Sequence, residues 1–200
     1  MLIHLYYTAL PSQQALNALD KKLSHIAKSQ ETIDGGKRLW ITHVPETVSR
    51  PLLHPLPFDL LVFPLSLPST LLEEYKISLG TAPKRCLLCR SADDSLPAFD
   101  ILLALAREIS TTTGAFLSID DQLGYRMLGP DPLDDSFNIN ALHSFPGRVC
   151  EIAHETNDGD LNVEWFVDAP WLCAWLHHHY APLNASRPSS ASRFASLDYS

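Results

Sequence analysis

The sequence contains no continuous run of about 18 apolar residues, the length that a membrane-spanning helix needs. Its longest apolar stretches, such as residues 60–63, have the length of a strand. The first residues, 1–7, carry no basic stretch and no small-residue cleavage site, so we interpret them as a strand and not as a signal peptide. We therefore expect a cytoplasmic protein that does not associate with membranes.

The common sequence signatures of catalysis and cofactor binding are also missing. The chain has no G-x-S-x-G, no P-loop, no G-x-G-x-x-G and no H-E-x-x-H. We accordingly expect no enzymatic activity, no cofactor and no bound metal. One alternative stays open, a small metal-assisted enzyme that uses Asp120 and Asp121, although consecutive residues of a strand point in opposite directions.

Cysteine is scarce, with four residues in 200. Cys86 and Cys89 form a C-x-x-C, but their segment has the pattern of a strand, on which residues three apart face opposite sides of the sheet. We therefore expect buried structural thiols and no metal or redox site. The run His177–His179 lies on a predicted helix, where neighbours fan out by about 100° and cannot chelate one ion.

The spacing of apolar residues predicts an α+β fold, with a mixed or antiparallel β-sheet and about four helices packed on it. Residues 1–183 would form a single domain, and an arrangement of this domain as two β-α-β-type halves, 1–92 and 93–183, stays open. The Ser- and Arg-containing segment 184–200 is predicted to be disordered. The segment Gln122–Asn140 is predicted to be a long polar loop. Strands are predicted at 2–8, 38–44, 58–65, 84–91, 115–119, 147–156 and 161–168, and helices after Pro11, at 70–78, at 96–112 and after Asp168.

Charge is distributed unevenly along the chain. Residues 1–90 hold ten Lys and Arg against seven Asp and Glu, a net charge of +3, whereas residues 91–168 hold three against fifteen, a net charge of −12. Such an acidic surface repels phosphates, so we expect no nucleic-acid partner. It attracts basic proteins, because complementary fields steer their encounter.

The acidic residues of the second half are the candidate partner-binding residues. They are predicted to follow a strand, to lie in the long loop, or to flank a hairpin turn at Asn157–Asp160. If the strands adjoin, all of them meet on one side of the sheet. The set is Asp120, Asp121, Asp131, Asp134, Asp135, Glu151, Glu155, Asp158, Asp160 and Glu164.

A resemblance covers residues 96–180. The helical run Phe99–Ile109, the strand from Gly114 to Asp120, the segment Pro146–Val149 and the run Phe166–Leu176 are similar to a bacterial family of uncharacterised proteins. Ala115 stands where the family pattern has a second glycine. These proteins resemble immunity proteins of polymorphic toxin systems, such as those of contact-dependent or type VI secretion, which bind and block a co-encoded toxin.

The resemblance implies an immunity protein that neutralises a cognate secreted antibacterial toxin by stoichiometric binding. Many such toxins act on anionic substrates, so we expect a basic active-site cleft that an acidic face could occupy. Two alternatives remain, the metal-assisted enzyme and a chaperone or adaptor that holds a secreted effector in an apolar groove.

Overall fold

The computed structural model describes residues 1–42, 54–131, 137–155, 159 and 161–180. It contains eight strands and six helices within those ranges. In chain order they are β1 Leu2–Tyr7, α1 Gln13–Ile26, β2 Ser29–Ile33, β3 Gly36–Ile41, β4 Leu56–Pro64, α2 Ser69–Leu79, β5 Arg85–Ser91, α3 Leu96–Thr113, β6 Phe116–Ile119, α4 Asp121–Leu128, α5 Ile139–Leu142, β7 Val149–Glu155, β8 Leu161–Val167 and α6 Ala169–Tyr180.

All eight strands join one antiparallel sheet in the order β2-β3-β4-β5-β1-β6-β8-β7. Strand β1 lies inside the sheet, where it pairs with β5 on one side and β6 on the other. Both halves of the chain therefore contribute to the same sheet. The predicted α+β class is confirmed.

Five helices cover one face of the sheet, which we call the helical face. The central helix α3 begins at Ser95, whose hydroxyl accepts a hydrogen bond from the Ala98 amide, and ends at Gly114 in the left-handed conformation. It is buried along most of its length, because α1 and α6 flank it above the strands. The apolar side chains of α1, α4, α5 and α6 join the same core.

Of the helices that the structure describes, α2 alone packs on the opposite face, over β7, β8, β6 and β1. Tyr75 and Leu79 of α2 are buried there against Phe116, Ile152 and Phe166. Strand alternation explains this second core, because β8 sends Phe166 to one face and Trp165 to the other.

The prediction of about four helices was too low, and the predicted loop Gln122–Asn140 is partly helical. Helix α4 begins at the cap Asp120, and its Leu123 and Met127, four residues apart, are buried in the helical-face core. Helix α5 begins at Asn138, whose side chain accepts from the Ala141 amide. Strand β2 was not predicted either, because four of its five residues are polar and all four are exposed.

None of the helices in the described part of the chain is long and apolar enough to cross a membrane.

Candidate functional site

Asp120 and Glu164, two of the predicted partner-binding residues, lie level with one another on the sheet. The pairing of Ile119 with Trp165 places Asp120, one residue beyond the end of β6, level with Glu164 on β8. Asp120 is exposed, and its Oδ1 accepts a hydrogen bond from the Leu123 amide at 2.8 Å as the N-cap of α4. Both carboxylates thus lie toward the turn that joins β7 and β8.

Glu164 is half-buried beside α2 and is held in place by a tyrosine. The buried Tyr75 hydroxyl donates to Glu164 Oε2 at 2.7 Å. Burial raises the pKa of Tyr75, and its hydrogen bond to the carboxylate raises it further. Burial also raises the pKa of the neighbouring Tyr6. The negative charges of Glu164 and Asp120 raise this pKa further. Both tyrosines therefore stay protonated, so the carboxylates carry the negative charge of this cluster.

Two other predicted partner-binding residues have described side chains, Glu151 and Asp131, and neither lies beside this pair. Glu151 pairs with Trp165 and is exposed on the helical face, opposite to Glu164 on its neighbouring strand. Asp131 follows α4 and is half-buried. The prediction that the carboxylates share one side of the sheet is therefore wrong for Glu151 and Glu164. Glu151 lies on the helical face of the sheet, and Glu164 lies on the face that carries α2.

The other predicted site residues lie outside what the structure describes. This applies to Asp134 and Asp135 in the segment between α4 and α5, and to Asp158 and Asp160 in the segment between β7 and β8. It also applies to the side chains of Asp121 and Glu155, whose backbones begin α4 and end β7.

The cysteine prediction is confirmed in its geometry. Cys86 and Cys89 are both buried, free, and on opposite faces of β5, since Cys86 pairs with Tyr6 and Cys89 with Ile3. Burial raises the pKa of the Cys86 thiol to about 11. Within the described ranges, no three His, Cys, Asp or Glu side chains come together as a group that could hold a metal ion.

The histidines at the end of α6 do not form a cluster of ligands. All three are exposed, and the His179 ring stacks on Trp175 with centroids 3.9 Å apart. Desolvation lowers the pKa of His179. We interpret this last ring as part of the packing of α6.

One charged cluster was not predicted from the sequence. Asp59 on β4 is 5 % exposed, and its carboxylate accepts from Arg38 Nε at 2.6 Å, from Arg38 Nη2 at 3.2 Å and from Arg90 Nη2 at 2.6 Å. The hydrogen bond from Arg38 is the main cause that lowers the pKa of Asp59. The sequence does contain one indication of this cluster, since Asp59 is the only charged residue in the apolar segment Phe58–Leu61 and a buried charge needs a partner.

The antiparallel sheet with helices on both faces defines the chain as an α+β protein. It belongs to DUF6368, a family of unknown function whose model matches residues 4–180. No curated protein matches the chain, and no solved structure matches it.

Proposed function

We propose that this protein is a cytoplasmic immunity protein, which binds a cognate secreted antibacterial toxin and neutralises it by covering its active site or substrate surface. The binding surface would be the acidic end of the sheet around the β7–β8 turn, with Asp120 and Glu164 at its described centre. The toxin would present a basic cleft to these carboxylates.

The observation that carries the proposal is a pair of carboxylates in the acidic half of the chain. Residues 91–168 have a net charge of −12, and two of their carboxylates, Asp120 just beyond β6 and Glu164 on β8, lie level with one another and both raise the pKa of Tyr6. Complementary charge of this kind raises association rates and discriminates against wrong partners.

The fixed position of Glu164 adds to the expected affinity. A side chain that the free protein already holds loses less conformational freedom on binding, and immobilising a flexible one costs about 0.5–1.5 kcal/mol. The hydrogen bond from Tyr75 provides this restraint before any partner arrives. The carboxylate of Asp120 is likewise oriented by the Leu123 amide.

The enzyme alternative depends on the same Asp120, whose role as the N-cap of α4 already accounts for one of its oxygens. The chaperone or adaptor alternative predicts binding through apolar contacts, which strengthens or stays constant as salt rises. The immunity proposal predicts the opposite, because salt screens exposed charges over about 8–10 Å at ordinary ionic strength.

The test uses isosteric changes that keep both local hydrogen bonds. Asp120→Asn retains a good N-cap, and Glu164→Gln retains an acceptor for Tyr75, while together they remove two negative charges. With a toxin encoded directly upstream, we expect calorimetric affinity to fall by about tenfold or more. Co-expression should then no longer protect a bacterial host.

A matched pair, Asp20→Asn with Asp34→Asn, removes two exposed carboxylates near the β2 edge of the sheet, far from β7 in the strand order. This control should bind normally, and circular dichroism should show all variants folded. Equal affinity for the two double variants would refute the acidic surface as the binding site.

A further inference from the structure

In the part of the chain that the structure describes, α2 covers one half of the sheet face on which it packs. The residues packed beneath α2 come from β1, β6, β7 and β8, and no described helix packs its core residues over β2, β3 and β4 on this side. We call the surface formed there by β2, β3, β4 and β5 the open half-face. It holds half-buried apolar side chains, among them Trp40, Leu61 and Leu88, and its neighbours Phe63 and Leu2 are 45 % and 41 % exposed. Apolar surface of this kind commonly marks an interface.

A row of alternating charges crosses the open half-face. Strand register places Glu31 opposite Arg38, Arg38 opposite Asp59, and Asp59 opposite Arg90. From β2 to β5 the signs therefore read minus, plus, minus, plus. Glu31 and Arg90 stand at the two ends with side chains 52 % exposed each, and the carboxylate of Asp59 is already engaged by both arginines.

This order of charges is complementary to itself. A two-fold axis parallel to the strands, between β3 and β4, places β2 of one copy over β5 of the other and β3 over β4. Glu31 then meets Arg90 of the second copy, and Arg38 meets Asp59. We propose that the open half-face is the interface of a symmetric homodimer, with two sheets packed face to face about this axis.

The rows on both sides of the charges agree with the same axis. Ile33, Gly36, Leu61 and Leu88 form one row, so that Ile33 would face Leu88 and Leu61 would face Gly36. On the other side, Trp40 would face Pro57. The Ile33–Leu88 and Trp40–Pro57 pairs are apolar, and they flank the charged row on both sides.

A second copy fits this surface better than a partner of uniform charge. Against a wholly basic or wholly acidic surface, two residues of the row would make attractive charge pairs and the other two would be repelled. The alternating row selects a surface with the same alternation, and a copy of this chain supplies it in register.

The test uses two charge-reversal variants, Glu31→Lys and Arg90→Glu. Neither variant should dimerise with itself, but the two should dimerise with each other. By light scattering coupled to size exclusion, the wild-type chain should have twice its mass of 22.3 kDa. Glu31→Lys alone puts two cations together at both ends of the row, and Arg90→Glu alone puts two anions together. We expect each variant to dimerise about tenfold or more weakly, since symmetry doubles each change. An equimolar mixture should recover the dimer, because every end pair is then of opposite sign.

A wild-type monomer would overturn the proposal, as would dimers that persist in both reversals or folded variants that fail to dimerise on mixing. If Arg90→Glu does not fold by circular dichroism, Leu61→Lys replaces it. That variant should be monomeric, whereas Ile77→Lys, on the exposed side of α2, should remain dimeric. Asp120→Asn with Glu164→Gln should also leave the dimer intact, which separates this proposal from the toxin-binding one.

Discussion

Two aspartates illustrate how partners decide the charge state of a carboxylate. Asp59 is more buried by exposed fraction than Asp100, yet its pKa is lowered because two guanidinium groups donate to it. Asp100 on α3 has one recorded partner, the Tyr180 hydroxyl, which is neutral. Burial therefore dominates and raises the pKa of Asp100 to about 6.

The raised pKa of Asp100 predicts a stabilising substitution. Since the carboxyl is more acidic in the unfolded chain, its contribution to stability is full below about pH 4 and is lost as the pH rises through about 6. Asp100→Asn keeps an acceptor for Tyr180 without the buried charge. We expect its melting temperature at pH 7 to exceed that of the wild type by about 3 °C.

The pH profile separates this cause from a general packing effect. The gain of Asp100→Asn should disappear below about pH 4, where the wild-type carboxyl is protonated in both states. Asp34→Asn, at an exposed turn, should change the melting temperature little at any pH. A gain for Asp100→Asn that is constant between pH 3 and pH 8, roughly the range around these pKa values, would show that the charge is not responsible.

At the scale of elements, the sequence predicts those that bury a regular apolar pattern. Helix α3 and strand β8 were predicted to within a residue or two, because their apolar residues repeat at helical and strand spacing. Side chains cap α3 and α6 at their first turns: Ser95 Oγ accepts from the Ala98 amide of α3, and Asp168 Oδ1 accepts from the Trp171 amide of α6. Strand β2 was missed because an edge strand exposed on both faces carries no alternation.

The geometry of the candidate site was less predictable, because it depends on strand order. The sequence shows that Asp120 ends a strand and that Glu164 alternates with Trp165. It does not show that β6 adjoins β8, which is what places the two carboxylates level. The Arg38–Asp59–Arg90 cluster likewise requires β3, β4 and β5 to be neighbours, and no local pattern encodes these pairings between residues 21 and 31 positions apart in the sequence.

Helix α4 provides a prediction about packing within one element. Gly124 lies against the buried ring of Phe137, and a Cβ at this position would stand 2.5 Å from two ring atoms. Alanine favours an isolated helix by about 1 kcal/mol over glycine, but here the ring has to move within a packed core. We expect Gly124→Ala to lower the free energy of unfolding by about 1–3 kcal/mol in urea denaturation.

The control for this prediction is Gln122→Ala on the exposed side of the same helix. Its effect should stay within about 0.5 kcal/mol, as is usual for surface substitutions. If Gly124→Ala instead stabilises the protein, helix propensity outweighs the contact and Phe137 is free to adjust.

At the scale of the whole molecule, β1 joins the two halves of the chain in one sheet. This strand pairs with β5 over six residues and with β6, so it connects the strands that precede α3 with those that follow it. The core of the helical face also draws on both halves, with α1 and α6 flanking α3. Neither half can bury its apolar surface alone, and we therefore expect cooperative, all-or-none unfolding.

The buried thiols allow this cooperativity to be measured. Cys89, with 0 % exposure at the centre of the sheet, and Cys86 and Cys150, at 6 % each, lie on strands from both halves. Because thiolate is the reactive form and burial raises the pKa of Cys86 and Cys89, all three should react slowly with a thiol reagent in the native protein. As urea increases, mass spectrometry should show Cys86, Cys89 and Cys150 becoming modified together, with one dependence on urea that matches global unfolding by circular dichroism. Modification of Cys150 at lower urea than Cys89 would instead mean that β7 and β8 open separately from the centre of the sheet, and that the molecule unfolds in parts.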